Sequence, residues 1–310
     1  MKKYLLIDMS NILYRAFFGN IKSDNDIIIP LCHHSALMSL RLLNKEFKVD
    51  EIVAIFDSYS WRKSYTKNSL SHKKYKGTRR QNLTPSQEAN FEVFDHHIGL
   101  FYEFLKENSN FIVIKEHMLE CDDIVEMFIT EHPNDEHMII SSDKDFMQLL
   151  GRDNVKLYDP STLKERTLEE YDNDANYFMF QKCIRGDTSD NVISAYPRIR
   201  STEIKKCYND SFLWANKQEH VFESSYFDDE GNLQKREYKT KELFEENKLL
   251  MDLTAQPDFI RTLAKKAINE AKHNKGKFNL IKFIKFCQEH NLERIGQEKL
   301  SFSELLMKGE

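Results

Sequence analysis

The chain has 310 residues, 40% of them apolar, and a formal net charge of −5. That length suits one large unit with a smaller one, or two medium ones, and no apolar run approaches the roughly 20 residues of a membrane span. The apolar run Tyr4–Ile7 is too short for a secretion signal, and five cysteines without a CxxC pair argue against a disulfide framework or a structural zinc site, so a cytoplasmic protein with no membrane partner is expected.

Residues 3–8 read as a buried strand ending in Asp8, and a helical pattern follows through Ile12, Leu13, Phe17 and Phe18. Leu37, Leu40, Leu43 and Phe47 repeat at helical spacing. Glu51 to Asp57 is a second strand, again ending in an acid. Thr84, Pro85 and Ser86 open a long helix carrying Phe91, Phe94, Ile98, Phe101 and Leu105. Further strands are expected at 111–114, at 137–141 just before Asp143, and at 155–158. Strands alternating with helices predict an α/β fold with an open, mostly parallel sheet flanked by helices. In that architecture ligands bind beyond the carboxyl ends of the strands. After about residue 175 the pattern is mainly helical, with a hairpin expected over 226–238. No GxxxxGK[ST] phosphate loop is present, which removes an ATPase reading.

The negative net charge hides a segregation. From Tyr59 to Gln87 there is no acid, while Arg62, Lys63, Lys67, Lys73, Lys74, Lys76, Arg79 and Arg80 all fall there. Trp61, Tyr65 and Tyr75 are interleaved and could stack on bases, so an extended cationic segment that contacts phosphates is expected. The ordinary alternative is a solvated basic surface.

The acids gather at strand ends and helix starts: Asp8; Asp57; Glu120, Asp122 and Asp123; Asp143 and Asp145; Asp187 and Asp190. Carboxylates brought together repel and raise one another's pKa unless hard cations sit among them. Oxygen-only donors suit Mg²⁺ or Mn²⁺, and two such ions about 4 Å apart can activate a water and stabilise the leaving oxygen of a phosphodiester. Singly, Asp8 is as well explained as a helix N-cap, and Asp122-Asp123 as a solvated helix start. An aspartyl-nucleophile phosphatase would need a second Asp two residues after Asp8, where Ser10 stands.

Taken in order, these segments resemble the successive motifs of the 5′-nuclease (flap endonuclease) family: Leu-Leu-Ile-Asp8, Phe56-Asp57, Glu120-Cys121-Asp122-Asp123, Ser142-Asp143-Lys144-Asp145-Phe146 and Gly186-Asp187-Thr188-Ser189-Asp190-Asn191. The last is the most specific. Tyr75-Lys76-Gly77-x-Arg79 is similar to an element of the family's arch or clamp. Trp61-Arg62 and Glu246–Asp252 are similar to its phage branch. The resemblance implies a PIN-like nuclease domain over 1–180, with arch segment 59–87. It also implies a mainly helical DNA-binding domain over 181–310, with a helix-hairpin-helix-like element near 181–206.

By position, it implies that Asp8, Asp57, Glu120, Asp122, Asp123, Asp143, Asp145, Asp187 and Asp190 hold two Mg²⁺ ions, replaceable by Mn²⁺. Lys76 and Arg79 would meet the scissile phosphate. Arg62, Lys63, Lys73, Lys74, Tyr75, Arg80, Arg198 and Arg200 would bind nucleic acid. The implied activity is 5′→3′ exonuclease and flap endonuclease cleavage of DNA and RNA–DNA hybrids, leaving 5′-phosphates, in primer or flap removal during phage replication. The implied partners are single-strand-binding protein and a sliding clamp, the latter through Gln297–Phe302, with a monomer favoured. The competing reading is a non-catalytic protein that binds branched DNA on a nuclease scaffold. One departure stands out: Arg198 and Arg200 replace the glycines of the family's hairpin, so arginine side chains, rather than backbone amides and a bound K⁺, are expected to grip the duplex.

Overall fold

A computed structural model describes residues 1–21, 24–79, 83–227 and 232–309. Its centre is a six-stranded sheet in the order β3-β2-β1-β4-β5-β6, formed by β1 (Lys3–Asp8), β2 (Glu51–Ile55), β3 (Ile112–Ile114), β4 (Glu136–Ile140), β5 (Val155–Tyr158) and β6 (Glu165–Arg166). All neighbours pair in parallel except β5 with β6. The β1 and β2 strands are buried on both faces, as parallel strands under helices must be.

One face is covered by α1 (Met9–Gly19), α2 (Asn25–Glu46) and α4 (Pro85–Asn108), which pack through Phe17, Leu37, Phe94 and Phe101. The Phe17 and Phe94 rings stack at 4.2 Å. Burying each such side chain stabilises the fold by roughly 1.5–3 kcal/mol. Thr84 starts α4 with a capping box: its hydroxyl accepts from Gln87 N at 3.3 Å and its own N donates to the Gln87 side chain at 3.0 Å. The other face is covered by α5 (Cys121–Glu131) and α10 (Asp258–His273).

The packing bears on two expectations. The core does not divide at residue 180. Ile260, Ala264 and Ile268 of α10 join one layer, while Phe283 and Phe286 of α11 (Leu280–Glu289) and Phe302 of α13 (Lys299–Leu306) join the other. A third cluster holds Tyr177 and Ile184 of α6 (Ala175–Arg185), Ile204 of α7 (Ser201–Asn209) and Leu250 of α9 (Thr240–Met251). Nor is Gln297–Phe302 a free peptide for a clamp, because Phe302 is fully buried with Arg41 over its ring at 5.0 Å. The hairpin is longer than expected, pairing β7 (Val221–Phe227) with β8 (Leu233–Lys239). Among the described residues no helix is long and apolar enough to cross a membrane.

Candidate active site

In the sheet order, the chain leaves β1 toward β2 on one side and reaches β4 on the other. The acids that follow these three strands therefore meet beyond their carboxyl ends. Asp8 caps α1, accepting from Asn11 N at 2.8 Å and from the Ser141 hydroxyl at 2.9 Å. Asp57 accepts from Cys121 N at 2.7 Å. Asp143 caps the short 3-10 helix after β4, accepting from Asp145 N at 2.9 Å. Asp8 and Asp143 are helix caps and cleft-lining groups at once. With Asp57, Glu120 and Asp122 they border a cleft of about 1160 Å³, whose rim also carries Lys63, Lys67 and Lys76.

The charges there are uneven. Among the described residues, no lysine or arginine lies within ion-pair distance of Asp8, Asp57 or Asp143. Burial and then the neighbouring Asp57 push Asp8 up to about 8. Burial and then Asp145 push Asp143 up to about 6. Glu120 is in the opposite state: burial would raise it, but Lys76 and Arg62 outweigh that and hold it at about 2. Lys76 forms an ion pair with Glu120, and despite burial its ammonium is held above the usual range by Glu120 and Asp190.

The last motif forms a loop after α6. Gly186 has φ +70, and a Cβ there would sit 2.5 Å from the carbonyl oxygens of Val192 and Ile193, so glycine is required. Asp187 accepts from Ser189 N at 2.8 Å and the Ser189 hydroxyl at 2.6 Å. Lys182, which the sequence did not single out, pairs with Asp145 and lies 3.4 Å from Asp187. Asp190 accepts from the Tyr75 hydroxyl at 2.8 Å and from Arg79 at 2.7 Å.

Arg62 and Tyr75 are not placed to bind nucleic acid. Arg62 is buried, 3.1 Å from Glu120 and 2.9 Å from Asp123, and its Nε donates to Leu250 O at 2.7 Å. Tyr75 and Trp61 are buried too, leaving Tyr65 as the exposed aromatic of the three. Among its described residues the basic segment is not extended: it folds into α3 (Trp61–Tyr65), a 3-10 turn and further turns. Asp123 is fully buried and already satisfied by Glu120 N at 3.0 Å, Gln256 at 2.7 Å and Arg62. Glu120, Asp122 and Asp123 do bring one oxygen each within 4.8 Å, but the Arg62 guanidinium already serves that trio as its cation. Glu246 and Asn247 brace this arrangement. Glu246 accepts from Leu70 N at 2.6 Å, and the Asn247 amide donates to Cys183 O at 2.9 Å and Ile193 O at 2.8 Å.

Lys63, Lys67 and Lys74 are exposed and Lys73 is half-buried; Arg80 lies outside the described residues. Arg198 and Arg200 are exposed, and Arg198 has φ +62, the left-handed conformation that a glycine would favour. The hairpin backbone therefore keeps its turn despite the arginine.

A mostly parallel sheet with acids converging at its carboxyl edge, beside a cationic rim, is the architecture of the 5′-nuclease family. Residues 3–180 match the model of the 5′-3′ exonuclease N-terminal resolvase-like domain, and the chain belongs to that family. It is similar to the ribonuclease H of Enterobacteria phage T4, 28% identical over 201 residues, a match that covers 62% of this chain and 63% of that protein. Among solved structures it resembles the flap endonuclease of bacteriophage T5 in a complex with DNA and metal ions, with a TM-score of 0.63 and 18% identity over 88% of this chain and 100% of that one. It also resembles the phage T5 5′-exonuclease with divalent zinc bound, with a TM-score of 0.63 and 19% identity over 87% of this chain and 100% of that one. At such identities these structures establish the fold.

Proposed function

We propose that the protein is a divalent-metal-dependent 5′→3′ exonuclease and flap endonuclease that hydrolyses DNA and RNA–DNA hybrids and leaves 5′-phosphates. Its role would be to remove RNA primers or flaps in phage replication, in the host cytoplasm and as a monomer, with single-strand-binding protein as the candidate partner. The observation that carries this reading is the convergence of the buried Asp8 with Asp57 and Asp143 on one cleft, with no described lysine or arginine within ion-pair distance of any of the three. Such a set is electrostatically unfavourable until hard cations join it, and its donors are all oxygen, which fits Mg²⁺ or Mn²⁺.

Asp8, Asp57, Asp122 and Asp143 would hold one ion, with Glu120 bound through water. Asp145, Asp187 and Asp190 would hold the second. When bound, the ions supply Lewis-acid activation of water and stabilisation of the leaving oxygen. The rest belongs to the chain. Lys76 keeps its proton between Glu120 and Asp190 and presents a fixed positive charge where charge develops on the phosphate. Arg79, oriented by Asp190, does the same from the loop side. Lys63, Lys67, Lys73 and Lys74 would hold the phosphate backbone against the repulsion of the acids.

The test digests 5′-labelled flap, nicked-duplex and RNA–DNA substrates in Mg²⁺ and sizes the products. Cleavage that EDTA abolishes and Mg²⁺ or Mn²⁺ restores is expected. Full activity in chelator would overturn the metal reading, and binding of branched DNA without any cleavage would favour the non-catalytic alternative.

A further inference from the structure

Three histidines meet on the far layer of the fold, away from the acids. His33 lies in α2, His97 in α4, and His290 follows the last turn of α11. One ring nitrogen from each lies within 4.8 Å of the other two. His33 is buried, whereas His97 and His290 are half-buried. His33 Nε2 stands 3.3 Å from the His97 carbonyl oxygen. As donor there, it leaves the Nδ1 lone pair free. Nδ1 of His33 and Nδ1 of His97 are both buried without a hydrogen-bond partner.

Two unsatisfied buried nitrogens in neighbouring rings, 5.7 Å apart between centroids, call for an explanation, since each buried unpaired polar group costs about 1–3 kcal/mol. Aromatic packing does not supply it. Phe101 stacks on His33 at 5.2 Å and Phe286 lies at 5.6 Å, but neither offers a proton or a lone pair to Nδ1. A shared proton is no better. Burial, and then His290, hold His33 down to about 3, and burial holds His97 and His290 below the usual range as well. The three rings are therefore neutral near pH 7, which is the form that ligates metal.

We propose that His33, His97 and His290 form a site for one divalent transition metal of the zinc class, with solvent as the fourth ligand, that pins α11 to α2 and α4. Three imidazoles select Zn²⁺ or Co²⁺ over Mg²⁺, the reverse of the all-oxygen cleft. A tetrahedral site with bonds of about 2.0–2.1 Å sets the nitrogens about 3.4 Å apart. The three nitrogens, within 4.8 Å of one another in the metal-free fold, would close to that spacing on binding. The tautomer that the His97 carbonyl imposes on His33 is the kind of outer contact that orients a metal-bound imidazole.

The experiment titrates the full chain with Co²⁺ in a large excess of Mg²⁺, which competes for the carboxylates, and reads the visible band of four-coordinate cobalt. One equivalent should develop the band in the wild type and in Asp143→Asn. His97→Gln and His290→Gln should each weaken cobalt binding by at least roughly tenfold. No band in the wild type, an unchanged band in both histidine variants, or its loss in Asp143→Asn would overturn the proposal. Folding of each variant is checked by circular dichroism without metal. Should either variant fail to fold, diethyl pyrocarbonate labelling of the wild type decides. Modification of His97 and His290 must fall when one equivalent of Zn²⁺ is added in excess Mg²⁺, and unchanged labelling overturns the site.

Discussion

Two groups of carboxylates stand at one edge of the sheet in opposite electrostatic states. No described lysine or arginine lies within ion-pair distance of Asp8, Asp57 or Asp143, although Lys76 acts on Asp57 from further away, and Asp8 is pushed up to about 8. Asp145 and Asp187 share Lys182, Asp190 is held by Arg79 and Tyr75, and Asp187 is held low: burial would raise it, but Ser189 and Lys182 outweigh that. A cation entering the first group relieves repulsion. One entering the second must displace an ammonium already in place. The fold thus builds one strong metal demand and one weak one, and the weak side is open to adjustment when a phosphate draws Lys182 or Arg79 away.

The sharpest way to break this comparison is a pair of isosteric changes. Asp143→Asn should lower turnover by roughly 10³-fold or more, about 4 kcal/mol in the barrier, with DNA binding kept or improved because a negative charge is gone. Asp187→Asn should cost less, roughly 10–100-fold, since Lys182 already offsets that charge. Equal losses in single-turnover assays would mean that the two groups act as one.

The buried guanidinium gives the next test. Arg62→Ala leaves Asp123 uncompensated in the interior and Glu120 with Lys76 alone of its two cations, and should destabilise the fold by about 3–5 kcal/mol, read from urea unfolding. A variant with wild-type stability but weakened DNA binding would return Arg62 to the nucleic-acid contacts.

A smaller effect follows from the raised carboxyls. Asp8 holds its proton to about 8 and Asp143 to about 6 in the folded state, against 3.8 for an ordinary Asp side chain. Across that window the folded chain binds protons that the unfolded chain has released, so metal-free stability falls as pH rises. Mg²⁺ binds the ionised forms and removes the deficit. The gain in Tm on adding Mg²⁺ should therefore be greater at pH 8 than at pH 6, by roughly a few °C for a chain of this size. A gain independent of pH would show that these acids are already ionised in the metal-free fold.

The acids of the first group were legible because each ends an apolar run, and a strand end in a parallel sheet is also the edge of the site. What surrounds them was not legible. Arg62 and Tyr75 look like exposed cation and aromatic in sequence, since their partners, Leu250 and Asp190, lie far along the chain. Lys182 is one lysine in an amphipathic helix, with nothing local to mark it. The sequence showed helical spacing only from Leu37 onward, and the start of α2 at Asn25 was hidden because Pro30 inside it reads as a breaker. The hairpin outgrew its predicted span because β8 is almost wholly exposed and carries no apolar alternation. His33, His97 and His290 come from three separate helical segments, so no spacing rule could join them.

The weakest expected effect concerns the paired side of the cleft, whose loop runs on from Asp190 to Arg198 and Arg200. Arg198 holds a left-handed backbone at φ +62, a conformation that costs a non-glycine residue of order 1–3 kcal/mol. Glycine would remove that strain, less the roughly 0.5–1 kcal/mol of chain entropy that it adds to the unfolded state. Arg198→Gly should therefore raise stability slightly, by up to about 1 kcal/mol. If the side chain is kept for phosphate, the same change should weaken duplex binding. Arg198→Ala/Arg200→Ala should then flatten the dependence of log affinity on log salt by about 2 units, one for each lost contact. Affinity should also be the same in K⁺ and Na⁺ at matched ionic strength, because a guanidinium fork needs no bound cation. A strong K⁺ preference with a silent double mutant would show that the turn, still in its glycine-like conformation, offers its amides and a cation to the duplex. The arginines would then be only solvated surface.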